Sequence, residues 1–263
     1  MPLNFLNYTT FGDTIYSLCI IKMLGGGNLY VRLNYLDEFC TKVLGWRGNP
    51  HPNRLTLDDF QQIHPLLKAQ DYLHSVELWQ SEVIDIDLAS KNWQWILPHG
   101  WQGNQTQVYG LSLGWNIADP IINHKLLHEP WLTPVDPIII PGKSLVVNRT
   151  SRYLQAEAHP KWFELLQNNL CEQAVFVGSA SEHESFESVF KTQIDFFPTA
   201  NLLELCRVIQ GCELFIGNQS SALAIAIGLG KPYLCEQNEQ TATPTPNSAG
   251  GDCWFPRANG KYF

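Results

Sequence analysis

Two groups of residues have types and spacing suited to holding an anion. In LFIGNQSSALAIAIGLGKP, the apolar run Leu214–Ile216 ends at Gly217 and Asn218, and Ser220 and Ser221 open a small-residue helix that Gly230 and Pro232 stop. Such a helix start presents unpaired N–H groups and the positive end of the helix dipole beside two hydroxyls, a geometry for phosphate or carboxylate. The same serines also fit plain helix caps. The second group is Asn148, Arg149, Thr150 and Arg152, directly after the apolar strand Ser144–Val147. Guanidinium forks pair bidentately with phosphate and stabilise negative charge on a departing group, while Asn148 and Thr150 add hydrogen bonds. The competing reading pairs the arginines with Glu157 or Glu182 on the surface.

Both groups sit where an α/β fold binds ligands, at strand ends. From Ser144 to Gln237 strand-like and helix-like segments alternate. SLVVN, AVFVG, DFFP, LFIGN and PYLCE read as strands. KWFELLQNN has helical spacing after Pro160, Ser181 with Glu184 matches a capping box, and Asn201 with Glu204 opens a helix whose buried stripe is Leu202, Leu205, Val208 and Ile209. The first half is less regular. Asn4–Tyr8 reads as a strand entering the turn Phe11-Gly12-Asp13, followed by a helix over Thr14–Leu24, a strand over Asn28–Leu33 and a helix over Leu36–Leu44. Leu57–Gln70 reads as helical despite Pro65, and Val76–Trp79 and Val83–Leu88 as strands. Trp93, Trp95, Trp101, Trp115 and Trp131 lie in a stretch with little periodicity, which fits core packing or an acceptor platform. DPIIIPGK (136–143) reads as a connection between two lobes, 1–140 and 141–263, and the Thr/Pro/Asn/Gly-rich segment from 238 as a flexible tail.

Composition narrows the function classes. A formal charge of −8 over 263 residues gives no footprint for a nucleic acid polymer, yet Lys143–Trp162 carries Lys143, Arg149, Arg152 and Lys161 against Glu157 alone. The chain shows no transmembrane segment and no signal peptide, so a cytoplasmic location is expected. Seven cysteines without a CxxC pair fit reduced thiols. His183 beside Glu182 and Glu184 lacks a second histidine one turn on, so no metal site is expected. Gly25–Gly27 lacks the Lys-Ser/Thr of a phosphate-binding P-loop, and GLSLG lacks the context of a hydrolase elbow.

Four segments carry a family resemblance: FGDTIYSLCIIKMLG, NRTSRYLQAEAHPKWFELL, AVFVGSASEHESF and FIGNQSSALAIAIGLGKPYLCE. Together they resemble glycosyltransferase family 9, the ADP-heptose:lipopolysaccharide heptosyltransferases, in a divergent, short form. The resemblance implies an α/β GT-B-like fold of two Rossmann-like lobes around a cleft. It also implies transfer of a hexose or heptose from a nucleotide-diphosphate sugar to a carbohydrate or glycolipid acceptor, inverting, with no metal or other cofactor. Asp13 then falls at the family's acidic residue near the acceptor, a general base, although a Gly-Asp-Thr helix cap explains it equally. Gly178 and Ser179 fall at the donor-side turn, Asn218, Gln219, Ser220 and Ser221 in the donor loop, and Glu236 at a strand end where it accepts from ribose or sugar hydroxyls. Gln219, Ser221 and Ala224 stand where the family has an acid, a glycine and a histidine. That departure keeps a second reading open, a noncatalytic sugar-nucleotide or glycan-binding module on the same fold.

Overall fold

The computed structural model describes residues 1–34, 55–99, 104–151, 158–166, 170–237 and 251–254. In chain order these form β1 (Leu3–Asn7), α1 (Phe11–Met23), β2 (Gly27–Val31), α2 (Leu57–Lys68), β3 (Leu73–Leu78), β4 (Ile86–Asp87), α3 (Leu88–His99), α4 (Gln105–Ser112) and α5 (Pro120–His128). There follow β5 (Leu145–Asn148), α6 (His159–Leu166), α7 (Leu170–Gln173), β6 (Ala174–Phe176), α8 (Ala180–Phe190), β7 (Asp195–Phe196), α9 (Leu202–Gly211), β8 (Leu214–Asn218), α10 (Ser221–Gly228), β9 (Tyr233–Glu236) and β10 (Gly251–Trp254). The expected helix over 36–44 lies outside the described residues.

The strands make two sheets, ordered β3-β2-β1-β4 and β10-β9-β8-β5-β6-β7, and every described pairing is parallel. In the second sheet the chain runs outward from β5 through β6 and β7, then returns to lay β8, β9 and β10 on the other side. The order therefore reverses between β5 and β8, the place where such sheets open a crevice for ligand. Strand registers Asn148↔Gly217 and Asn218↔Glu236 bring the ends of β5, β8 and β9 level there.

Both faces of this sheet are covered, which is why its strands read as unbroken apolar runs. Val146 and Phe215 join a core with α1 (Ile15, Leu18, Ile21) and α10 (Leu223, Ile227), while Val147 and Ile216 pack on the opposite face with Trp162, Phe176, Phe186 and Phe190. The helix α10 is buried from Ala222 to Gly228 and lies against α1, so one apolar core touches both sheets.

The chain from Pro130 to Asp136, which leads into the connection expected at 136–143, is stitched down on both sides. Lys22 donates to the Pro130 carbonyl at 3.0 Å, and the Trp131 indole N–H donates to the Ile15 carbonyl at 2.9 Å. The amides of Trp131 and Leu132 both reach the Gly228 carbonyl at 2.9 Å, and Arg207 donates to the Asp136 carbonyl at 3.0 Å.

Several boundaries differ from the sequence expectation. Helix α1 begins at Phe11, three residues early, because Thr10 caps it. The aperiodic tryptophan stretch folds into α3, α4 and α5. Strand β4 has only two residues, and Gly251–Trp254, expected within a flexible tail, pairs in parallel with β9.

Candidate functional site

The floor of the crevice is a set of side-chain bonds between strand ends. Asn218 is fully buried; its Oδ1 accepts from the Thr150 amide and its Nδ2 donates to the Thr150 carbonyl, both at 3.0 Å. This two-way latch fixes the chain where it leaves β5. Asn148 donates through Nδ2 to the Val177 carbonyl at 2.8 Å and accepts at Oδ1 from the Ser220 hydroxyl, also at 2.8 Å. One amide thereby ties the exit of β6 to the start of α10.

Ser220 caps α10 by accepting from the Leu223 amide at 3.3 Å, so its hydroxyl both donates and accepts within the protein. Ser221 is the first helical residue. At the neighbouring strand end the cap of α8 is Ser179 rather than Ser181. Its hydroxyl accepts from the Glu182 amide at 3.2 Å and the Glu182 carboxylate accepts from the Ser179 amide at 2.9 Å, a complete capping box. Gly178, just before it, has φ +139°, and a Cβ there would lie 2.9 Å from Glu182 Oε2 and 3.0 Å from Asn148 Nδ2. Gly178→Ala is therefore expected to lower stability by about 1–3 kcal/mol, read as a lower thermal midpoint.

Arg149 and Glu236, each expected to meet ligand separately, face one another. Arg149 Nε donates to Glu236 Oε2 at 2.7 Å and Nη2 to Oε1 at 3.1 Å, a fork-on-carboxylate pair. The Trp162 indole N–H adds a third bond to Oε2 at 2.7 Å, and the guanidinium lies 5.3 Å from the Phe190 ring centroid. Glu236 is 0% and Arg149 6% exposed. The surface pairing with Glu157 or Glu182 is thus replaced by a buried one. Trp162, read only as part of a helix, is a member of this network. Arg152 and Glu157 lie outside the described residues, as does Trp101.

Across from this floor is the first turn of α1. A Cβ on Gly12 would come within 4.0 Å of the Ser220 carbonyl oxygen and the Ser221 nitrogen, so the N-termini of α1 and α10 abut. Asp13 sits in that turn. Its Oδ2 accepts from the Thr10 hydroxyl at 3.0 Å, its Oδ1 from Gln105 Nε2 at 3.4 Å, and its carbonyl from the Tyr109 hydroxyl at 3.0 Å. Burial, with a smaller contribution from the Asp13 carboxylate, pushes the Tyr109 phenol well above its ordinary pKa. Gln105 and Tyr109 come from α4, whose buried residues are Gln105, Thr106, Val108, Tyr109 and Gly110; a helix buried through polar groups leaves no apolar stripe to find.

Abutting helix starts, with the strand exit that precedes α8 linked to them through Asn148, gather first-turn N–H groups and positive dipole ends, with one carboxylate, Asp13, in the α1 turn and another, Glu182, in the α8 cap. That arrangement can hold an anion and remove a proton within one site. Among the described residues no cluster of three or more His, Cys, Asp or Glu is placed to hold a metal ion, and no helix is long and apolar enough to cross a membrane.

No protein-family model matches the chain, and no curated protein does so by sequence. Among solved structures it is similar to Escherichia coli ADP-heptose LPS heptosyltransferase II, at 13% identity and a TM-score of 0.52, over 100% of this chain and 93% of that one. E. coli heptosyltransferase WaaC with ADP aligns at 12% identity and a TM-score of 0.49, over 96% and 93% of the two chains. A glycosyl transferase of family 9 from Veillonella parvula DSM 2008 aligns at 11% identity and 0.44, over 89% and 79%. The likeness to heptosyltransferase II is one of fold, the two-sheet α/β arrangement of the GT-B class.

Proposed function

We propose that this protein is a glycosyltransferase that moves a sugar from a nucleotide-diphosphate donor to a carbohydrate or glycolipid hydroxyl, with inversion and without a metal ion. The observation that supports the reading is the approach of the α1 and α10 N-termini at Gly12 and Ser220–Ser221, with Asp13 the next residue of that α1 turn. The fold shared with an enzyme named for ADP-heptose supports a donor of this class. In the proposed reaction, Asp13 takes the proton of the acceptor hydroxyl as its oxygen attacks the anomeric carbon. The carbon–oxygen bond to the diphosphate breaks on the opposite side, and the nucleoside diphosphate leaves with the electron pair. Amide N–H groups at the starts of α10 and α8 bind the charge that gathers on it. Thr150, Gln219 and Ser221 contribute hydrogen bonds to the donor, and Asn148, Asn218 and Gly178 hold the loops that present them. Cys19, Cys171, Cys206 and Cys212 are free thiols, in keeping with the reducing cytoplasm proposed as the site of action.

A noncatalytic sugar-nucleotide-binding module is the second reading, and the Arg149–Glu236 pair favours it, since two guanidinium nitrogens are spent inside the protein. One experiment addresses both readings. ADP-, UDP-, GDP- and CDP-sugars are screened by thermal shift, and hits are assayed for release of nucleoside diphosphate. At least one donor is expected to stabilise, by about 2.7 kcal/mol at a hundredfold excess over its Kd. Ser221→Glu, which suits the helix dipole but repels an anion, is expected to remove that shift while leaving the unliganded melt intact. A panel that never moves the melt overturns the donor site, and binding without release by any acceptor selects the module.

A further inference from the structure

We infer that Gln105 and Tyr109 of α4 are positioning residues for Asp13, Gln105 acting on the carboxylate and Tyr109 on the backbone that carries it; this rests on the proposed role of Asp13 as base. A general base works only when its oxygen is aimed at the proton it removes, and an aspartate in a helix first turn has more than one rotamer open to it. Here the carboxylate is held from two sides: by the Thr10 hydroxyl on its own turn, and by Gln105 Nε2 from a helix 92 residues later in the chain.

Tyr109 fixes the turn itself. Its ring is fully buried, and its hydroxyl donates to the Asp13 carbonyl at 3.0 Å and also bonds the Thr9 side chain. It therefore spans the β1–α1 junction. With its phenol held well above its ordinary pKa, it remains a donor across the physiological range. Gln105 is 6% exposed, so its side chain has little freedom to leave the part-buried bond to Asp13. Among the described residues, Asp13 meets the Thr10 hydroxyl from its own turn, the Gln105 side-chain amide and the Tyr109 phenol from α4. Of these only the phenol titrates, and the one basic residue of α1, Lys22, lies at the opposite end of that helix.

The test reads the Asp13 carboxyl carbon by NMR titration in aspartate-labelled protein, its signal identified by its loss in Asp13→Asn. A donor to the charged carboxylate favours ionisation, so Gln105→Met is expected to move the titration midpoint up by about half a pH unit or more. Gln105→Glu, of the same shape, replaces the donor with a like charge and is expected to move it further in the same direction. Tyr109→Phe removes only the hydroxyl. With the nucleotide-sugar that stabilises the protein, it is expected to lower kcat about tenfold while KM holds, with the thermal midpoint lowered only by the loss of one buried hydrogen bond. A midpoint unmoved in both Gln105 variants, or a Tyr109→Phe enzyme with undiminished kcat, overturns the inference. Failure of the underlying reading shows separately, as full turnover by Asp13→Asn.

Discussion

Replacing Glu236 with alanine is expected to destabilise the protein by about 3–5 kcal/mol, because it removes the buried carboxylate on which the Arg149 guanidinium fork closes. The carboxylate is fully buried and accepts three hydrogen bonds, two from Arg149 and one from Trp162. Its loss leaves those donors without the partner they share in a place water reaches poorly, and an orphaned charged donor costs more than the net worth of the bond it made. The measurement is the urea midpoint at an unchanged denaturant slope, since an altered slope would report a changed unfolded or native ensemble. Added salt is expected to have little effect on the difference, as a pair this deep is poorly screened. The compensated double replacement, Arg149→Met with Glu236→Leu, is expected to recover only part of the loss, because two apolar chains of similar volume need no partners but the Trp162 indole N–H still loses its carboxylate acceptor. A cost below about 1 kcal/mol for Glu236→Ala would mean the pair behaves as an exposed one. The double variant also separates structure from ligand contact. If it folds and still responds to a nucleotide-sugar, Arg149 serves the site by bracing strand ends; if the response disappears, the guanidinium reaches the diphosphate as well.

That pair shows where sequence reading stops. Arg149 and Glu236 are 87 residues apart, and only the β5–β8–β9 order and register set them opposite one another. No local pattern encodes that register, so each residue read as an independent polar group at a strand end. By contrast, β5, β6 and β8 were legible, because a parallel strand covered on both faces is a short apolar run closed by glycine or asparagine. Helix starts were legible to within a few residues. Ser179 with Glu182 and Ser181 with Glu184 both satisfy the capping pattern, and the first wins because the chain leaves β6 and turns at Gly178 immediately before it. At Thr10 the rival was Asp13 itself, which suits a cap but sits in the first turn, where a carboxylate also complements the dipole. Helix α4 was illegible for a different reason. It buries Gln105 and Tyr109 against Asp13 and Thr106 against α5, so its inward face carries the polar residues that a hydrophobic pattern treats as solvent.

The same packing bears on how the site is assembled. Helices α1 and α10 share a core with both sheets, and Trp131 locks the intervening chain to Ile15 on one side and Gly228 on the other. Asp13 and the start of α10 are thus set relative to each other by buried apolar contacts and satisfied backbone groups, the interactions most costly to disrupt. The proposed base and anion site, held in this way, are organised before ligand arrives, which is the condition under which positioning contributes to rate.

Asp13→Asn is the replacement that isolates chemistry from that scaffold. The amide keeps the carboxylate's shape, its Oδ1 still accepts from Thr10 or Gln105, and the Tyr109 bond to the Asp13 carbonyl is untouched. Folding stability and nucleotide-sugar binding are therefore expected to stay close to wild type. An amide has no basic lone pair for a proton at neutral pH, so turnover is expected to fall about 10²–10⁴-fold, the contribution of a positioned general base. The fall should appear in kcat, since the carboxylate acts as the acceptor oxygen attacks and the donor is held elsewhere. Wild type and variant are compared for nucleoside diphosphate release, with donor affinity measured in parallel by thermal shift. Equal rates in the two proteins would remove Asp13 from the reaction and return it to helix capping. Equal donor affinity with release lost only in the variant would make it the group that deprotonates the acceptor.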